Sequence, residues 1–331
     1  MTRSFHLVTK PTVMAATSEM TFANYWDHFV ARMGVHRGEH RVTPGLYKLG
    51  NPDAGSAVFV TANYSLSFDA LRASLRGLNA YILVLDTRGV NVWCAAGKRT
   101  FGTTELIRRI KAANLNDVVS HRRLILPQLG APGVAAHVVK SQTGFVVEYG
   151  PVRAADLPEY LKTHRATPEM RLVKFPLHDR LILVPVELTA VWLPALVAIG
   201  LGYLIGDLPY MFAVLTVLLA GTTFFPILLP WLPSRDFSTK GAFLGLVTAL
   251  PFALTVLFLH ADWNWYRQVG QILGYFFAMS SSVAYLSLNF TGSTTFTSRT
   301  GVRKEIFTYI RPMAITFILG LALLLVFAFV K

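Results

Sequence analysis

The chain has 331 residues, 53% of them hydrophobic, and a formal net charge of +13; this is too apolar for an ordinary soluble domain of that size and places part of the chain in lipid. The charge sits mainly in the first 180 positions, where 23 Lys and Arg stand against 13 Asp and Glu, as expected of a cytoplasmic domain beside an anionic membrane surface. No helix-turn-helix, zinc-finger or aromatic RNA-binding signature accompanies the charge, so no nucleic acid is expected as a partner, and a single cysteine excludes an internal disulfide, a thiolate zinc site and an iron–sulfur cluster held by this chain.

Residues 1–50 read as an N-terminal lead segment. Residues 1–10 lack an apolar h-region, so no cleavable signal peptide is expected, and 26–33 has helical spacing. From 51 to 180 strands and helices alternate. The β-branched and aromatic runs 56–62, 81–85, 123–126 and 145–149 predict strands. Helical spacing covers 68–76, a stretch from Asn91 through Ala113, 134–141 and 154–163. The fold class predicted is α/β, a Rossmann-like parallel sheet with helices on both faces. Ligands of such sheets sit beyond the carboxyl ends of the strands, here 61–64, 89–98, 126–134 and 150–153. No G-x-G-x-x-G and no Walker loop follows a strand, which disfavours a nucleotide.

From 181 to 331 the chain predicts an all-α domain of five transmembrane helices, at 181–205, 208–230, 241–260, 269–290 and 313–330. Prolines 185, 194, 226 and 251 fall in or near them, which neighbouring helices can accommodate. With the first domain in the cytoplasm, the inner loops hold Arg235, Lys240, Arg299, Arg303, Lys304 and Arg311, and the outer side only Arg267 and Lys331. That obeys the positive-inside rule and predicts a multi-pass protein of the cytoplasmic membrane. Glu187 is the one charge near a span interior and Asp207 sits in a tight loop, so anchoring or partner docking is favoured over transport.

The sharpest local feature is Asn91-Val92-Trp93-Cys94-Ala95-Ala96-Gly97-Lys98. A thiol in the first turn of a helix, with Lys98 one turn on, favours thiolate, the form that binds metals. Ala95, Ala96 and Gly97 leave a flat surface for a wide ligand. Taken alone the signal is weak, because a lone cysteine among apolar neighbours is usually an inert core residue.

This octapeptide resembles, along its whole length, the cap-helix signature of the mercury-methylation corrinoid protein family (HgcA). Residues 60–72 (VTANYSLSFDALR), 83–88 (LVLDTR), 150–161 (GPVRAADLPEYL) and, in position, 124–134 resemble the corrinoid-binding domain of the related corrinoid iron–sulfur protein large subunit, and 289–305 resembles a segment of that wider family. Two departures from the large subunit fit the mercury-methylating branch: its cysteine-rich cluster domain is missing, and five spans are present. The D-x-H-x-x-G cobalamin signature is also missing, since Asp27-His28 has the wrong spacing.

The resemblance implies a corrinoid cofactor of the cobalamin type with Cys94 as lower axial ligand of cobalt. It implies that a ferredoxin-like partner with two iron–sulfur clusters reduces cobalt to Co(I). The methyl group then arrives as a cation equivalent from methyltetrahydrofolate or a methyl donor protein, and methyl-Co(III) cobalamin passes it to Hg(II), giving methylmercury. Asn91, Val92, Trp93, Ala95, Ala96, Gly97 and Lys98 are then expected to place the helix and contact the ring. Thr61, Asn63, Gln128, Leu129, Gly130, Ala131, Gly133, Val134, Gly150, Pro151, Val152 and Arg153 are expected to hold its edge and nucleotide tail, each also readable as turn or core. Membrane lipid completes the partners. A methyl carrier of one-carbon metabolism and a non-enzymatic corrinoid-binding module remain the alternatives.

Overall fold

The computed structural model describes residues 12–36, 38–294 and 297–329, without the side chains at 206, 207 and 299; the expectations for residues 1–10, for the Asp207 and Arg299 side chains, and for residues 330 and 331 fall outside it. The chain divides into two compact units, the first running to Val173 apart from Arg32–Gly34, which group with the second from Lys174 onward.

The first unit contains a six-stranded sheet: β1 (Val13–Ala16), β2 (Gly45–Leu49), β3 (Val58–Ala62), β4 (Ala80–Leu85), β5 (Arg123–Leu126) and β6 (Val146–Tyr149). The four anticipated strands lie parallel in the order β4-β3-β5-β6. Every residue of β3 and β4 is buried, which is why they read as unbroken apolar runs and not as alternating ones. β1 and β2, from the lead segment, were not anticipated. β2 runs antiparallel to β4 and parallel to β1, so the sheet is mixed, mostly parallel.

The helices with it include α1 (Phe22–Arg32), α2 (Ser65–Ser74), α3 (Val92–Gly97), α4 (Thr103–Ala112), α5 (Leu115–Val118), α6 (Ala136–Thr143) and α7 (Leu157–Thr163). α2 and α7 pack on the face of Phe59, Ile82, Val84 and Ile125. Helices α3 to α6 cover the face of Val58, Val60, Ala62, Leu83 and Leu85. The single helix expected from Asn91 through Ala113 is two. Arg99 takes a left-handed φ of 63°, Gly102 is extended at the start of α4, and the turn between them delivers Phe101, fully buried, into the core.

α1 is inside-out. Thr21 and Asn24 cap its start with reciprocal hydrogen bonds, and its polar side chains face the protein. Asp27 accepts from His40 Nδ1 (2.6 Å) and from Ser65 Oγ (2.6 Å). His28 Nε2 meets Asp69 Oδ2 at 2.9 Å; Asp69 Oδ1 accepts from Arg72 Nε at 2.6 Å, and Arg72 Nη1 donates to the carbonyls of Thr17 and Glu19. Asp69 and Arg72 are buried.

His40 also donates to the Val35 carbonyl at 2.7 Å. Both of its partners only accept, so both ring nitrogens carry protons. Burial alone would lower its pKa, but the bonds to Asp27 and Val35 outweigh it and raise it above 6.5. Asp69 is the converse: burial would raise it, and His28 and Arg72 hold it below 3.8. The His40 contribution is therefore complete below about pH 6.5 and lost as pH rises through the raised folded value. The Asp69 contribution is complete above about pH 4 and lost as pH falls through the depressed one. Hydrogen exchange of the α1 and α2 amides, corrected for intrinsic rates, is expected to be slowest between these limits and to quicken on both sides.

The second unit has five helices long and apolar enough to cross a membrane, at Leu177–Ile205, Leu208–Leu228, Phe237–Leu259, Trp265–Phe290 and Thr300–Phe329. The first two are joined without a break in helical backbone, yet a Cβ on Gly202 would lie 3.2 Å from the backbone of Tyr210. Eight residues of straight helix would separate them by about 12 Å, so the chain reverses here. A π-helical turn, Ala220–Phe224, precedes Pro226. Small residues let the later helices meet closely, Gly245 against Ser280 and Gly320 against Ala278.

Three charges missed as span residues seal helix ends. Arg180 donates to the carbonyls of Pro226 and Ile227, and Lys240 to those of Leu229 and Leu232. Glu305 accepts from the backbone N–H groups of Phe237 and Ser238. Cations on terminal carbonyls and an anion on opening amides satisfy groups that the helix itself leaves unpaired.

Candidate functional site

The carboxyl edge of the parallel strands is built around Asn63, just past β3. Its Oδ1 accepts from the N–H groups of Thr87 and Gly89 (both 3.0 Å) and from Thr87 Oγ1 (2.9 Å). On the other side Glu105 of α4 accepts from the N–H of Asp86 at 2.9 Å. Burial would raise the Glu105 carboxyl, but Arg108, that amide and Arg109 hold it below the ordinary range, so it stays an anion at neutral pH. The loop 86–90 is thus gripped from both flanks, and it ends at Asn91.

Asn91 Oδ1 accepts the backbone N–H of Cys94 at 2.9 Å, the N-cap bond that opens α3. Val92, Ala95 and Ala96 form the buried side of this short helix, joined to the core of β3, β4 and α4. Trp93 and Cys94 are half-buried, and Gly97 and Lys98 are exposed. Cys94 and Gly97 lie one turn apart on one outward face.

The turn Gln128–Gly133 after β5 lies directly against this helix. A Cβ on Gly133 would fall 2.1 Å from the Phe101 carbonyl oxygen and 3.0 Å from the Ala96 Cα, and one on Gly130 would strike the Phe101 ring. These two glycines are explained by close packing. Gly97 is not: its φ is not positive, and nothing lies within 4 Å of where its Cβ would be. Close packing therefore does not account for glycine at the last position of α3.

The remaining expected residues divide. Gly150 and Pro151 are buried, and Pro151 accepts from the Gln128 backbone at 3.3 Å, so the 128 and 150 segments meet as neighbours. Tyr149 joins them again by donating to the carbonyl of Val134, at the end of the 128–134 turn, at 2.8 Å. Gln128 accepts from Arg171 at 2.8 Å. Leu129 is partly buried against the core and Val134 fully so; Ala131, Val152 and Arg153 are half-buried. Thr61 is buried, and strand alternation turns it to the Phe59 face, away from α3.

A cavity of about 280 Å³ opens beside Asn63, lined also by Arg41, Val42, Thr43, Pro44 and Asp86. Arg41, Thr43 and Asp86 were not singled out from the sequence. Residues 41–44 carry no motif, and only their bridge to Tyr64 brings them to the strand ends. Among the described residues no three His, Cys, Asp or Glu side chains gather as a metal site.

Residues 36–161 match the family described as CO dehydrogenase/acetyl-CoA synthase delta subunit. The chain is similar to the acetyl-CoA decarbonylase/synthase complex subunit gamma of Methanopyrus kandleri, 31% identical over 128 residues, 38% of this chain and 27% of that protein. The same subunit of Methanothermobacter thermautotrophicus is 33% identical over 137 residues, 39% of this chain and 29% of that protein. The corrinoid/iron-sulfur protein large subunit of Moorella thermoacetica is 27% identical over 129 residues, 38% of this chain and 28% of that protein. The chain spans less than a third of the length of these relatives. The likeness covers β2 through most of α7 and includes the whole Cys94 site, so the first unit carries a domain of the kind that these proteins share.

Proposed function

We propose that this domain binds a corrinoid, and that the chain is a membrane-anchored corrinoid-dependent methyltransferase that delivers a methyl group to Hg(II), giving methylmercury. The observation that carries the reading is the outward face of α3, where Cys94 stands one turn before a glycine that the fold does not require. An open surface of that shape would accept a broad flat ring beside the sulfur. A cavity of about 280 Å³ is smaller than the sites that enclose drug-sized ligands, roughly 300–1,000 Å³, so Asn63, Arg41 and Asp86 would hold at most a polar arm of it.

A bound corrinoid supplies a cobalt centre that accepts a methyl group and gives it up. Cys94, as thiolate, would be the side chain that holds that cobalt, and its electron donation would favour release of the methyl group to an electrophile. Asn91 keeps the sulfur at a fixed height by capping the helix, and the 128–134 and 150–153 segments border the ring. Methyltetrahydrofolate or a methyl donor protein would load the site, a ferredoxin-like protein with two iron–sulfur clusters would supply electrons, and the distribution of basic loops favours a cytoplasmic domain. The names of the relatives favour a second reading, a membrane-anchored methyl carrier of one-carbon metabolism. Methylmercury formation by the purified chain from Hg(II), reductant and methyl donor separates the two.

The absorption spectrum of the protein purified from a corrinoid-producing host tests the site. Corrinoid bands with a sulfur-ligation signature are expected. Gly97→Ala is expected to stabilise the apo protein by about 1 kcal/mol. Gly97→Leu, whose Cβ has open space within 4 Å, is expected to fold and to lose most of its corrinoid on gel filtration. Full retention by Gly97→Leu sinks the placement of the ring.

A further inference from the structure

The outward face of α1 is aromatic. Phe22, Tyr25, Trp26 and Phe29 recur at helical spacing and are 82%, 60%, 58% and 52% exposed, with the Trp26 and Phe29 rings stacked 5.5 Å apart. An ordinary surface helix buries such a stripe and shows its charges to water. Here the orientation is reversed and locked, because Asp27 and His28 are bonded to His40, Ser65 and Asp69 on the protein side. Turning the helix over to hide the rings would break all three bonds.

We propose that α1 lies in the plane of the membrane interface, its four aromatic rings among the lipid headgroups and upper acyl chains. Three observations choose lipid as the occupant. Tyr and Trp favour the boundary between water and hydrocarbon, and Phe is typical of the apolar face of a helix that lies in it. The first membrane helix begins at Leu177, four residues after this unit ends at Val173, a link of at most about 14 Å, so a bilayer is always within reach. The first 180 positions carry an excess of Lys and Arg over Asp and Glu, which attracts an anionic surface. The proposal stands apart from the chemistry at Cys94.

The test uses the full chain in vesicles of phosphatidylcholine and phosphatidylglycerol. In a Cys94→Ala background, which leaves no native thiol to label, Trp26→Cys and Phe29→Cys are spin-labelled beside Lys111→Cys and Lys140→Cys. The two lysines are exposed on α4 and α6, in the opposite layer of the sheet. Accessibility to oxygen, which concentrates in lipid, relative to a water-soluble nickel chelate is expected to be severalfold higher at 26 and 29 than at 111 and 140. Equal ratios at all four positions overturn the proposal. So do labels at 26 and 29 shielded from both reagents, which would assign the face to a protein partner, a second copy or residues 1–11.

Discussion

Cys94→Ala is expected to cut methylmercury formation by more than about 100-fold, since loss of groups that merely support a metal ligand already costs 10- to 100-fold. The geometry makes this a clean experiment. The bond that opens α3 runs from the Cys94 backbone N–H to Asn91 and survives the change. The side chain is only half-buried, so its loss leaves no core cavity, and alanine favours a helix at least as well. Bound corrinoid should persist in part, held by its edge and tail, with the sulfur signature gone from its spectrum. Methylation at the normal rate by the alanine protein would refute the ligand role. Normal carriage of methyl groups without methylmercury formation in the wild type would point instead to one-carbon metabolism.

Asp69→Ala is expected to destabilise the first unit by about 3–5 kcal/mol, the cost of breaking a buried ion pair by removing one partner. Asp69 answers both His28 and Arg72, and Arg72 is buried with its other nitrogen on the Thr17 and Glu19 carbonyls. Without the carboxylate its charge has no neutralising partner there. The segment from β1 to α1 is then expected to detach first, read as protease cleavage between β1 and α2 at urea concentrations that leave the wild type intact. Asp69→Asn should recover part of the loss by keeping a hydrogen-bond acceptor without the charge. Equal urea midpoints for Asp69→Ala and wild type would show that the network adds nothing.

The strands buried on both faces were legible because their sequences are unbroken β-branched and aromatic runs. β1 is Val-Met-Ala-Ala, with little β character, and β2 exposes Lys48; pairing of β2 with β4 and of β1 with β2, not local preference, makes them strands. The break between α3 and α4 was hidden because nothing in Lys98-Arg99-Thr100 marks a left-handed turn. It exists to bury Phe101. The five spans were legible from apolar length, but their starts were not: Ser238 and Lys240 look like loop until Glu305 and the Leu229 and Leu232 carbonyls are seen to receive them. At the site, Asn91 and Cys94 were legible as a helix opening. The grip of Asn63 on Thr87 and Gly89 links residues more than twenty positions apart and has no local signature.

Six residues of helix are far fewer than the dozen or so that sustain themselves in water. α3 therefore exists only while Val92, Ala95 and Ala96 are seated in the core, and the sulfur keeps its address only while the sheet beneath is intact. If Cys94 holds a corrinoid as proposed, warming or mild denaturant should remove the sulfur-ligation signature in step with melting of the domain, with no separate earlier transition, so the colour of the cofactor would serve as a thermometer for folding.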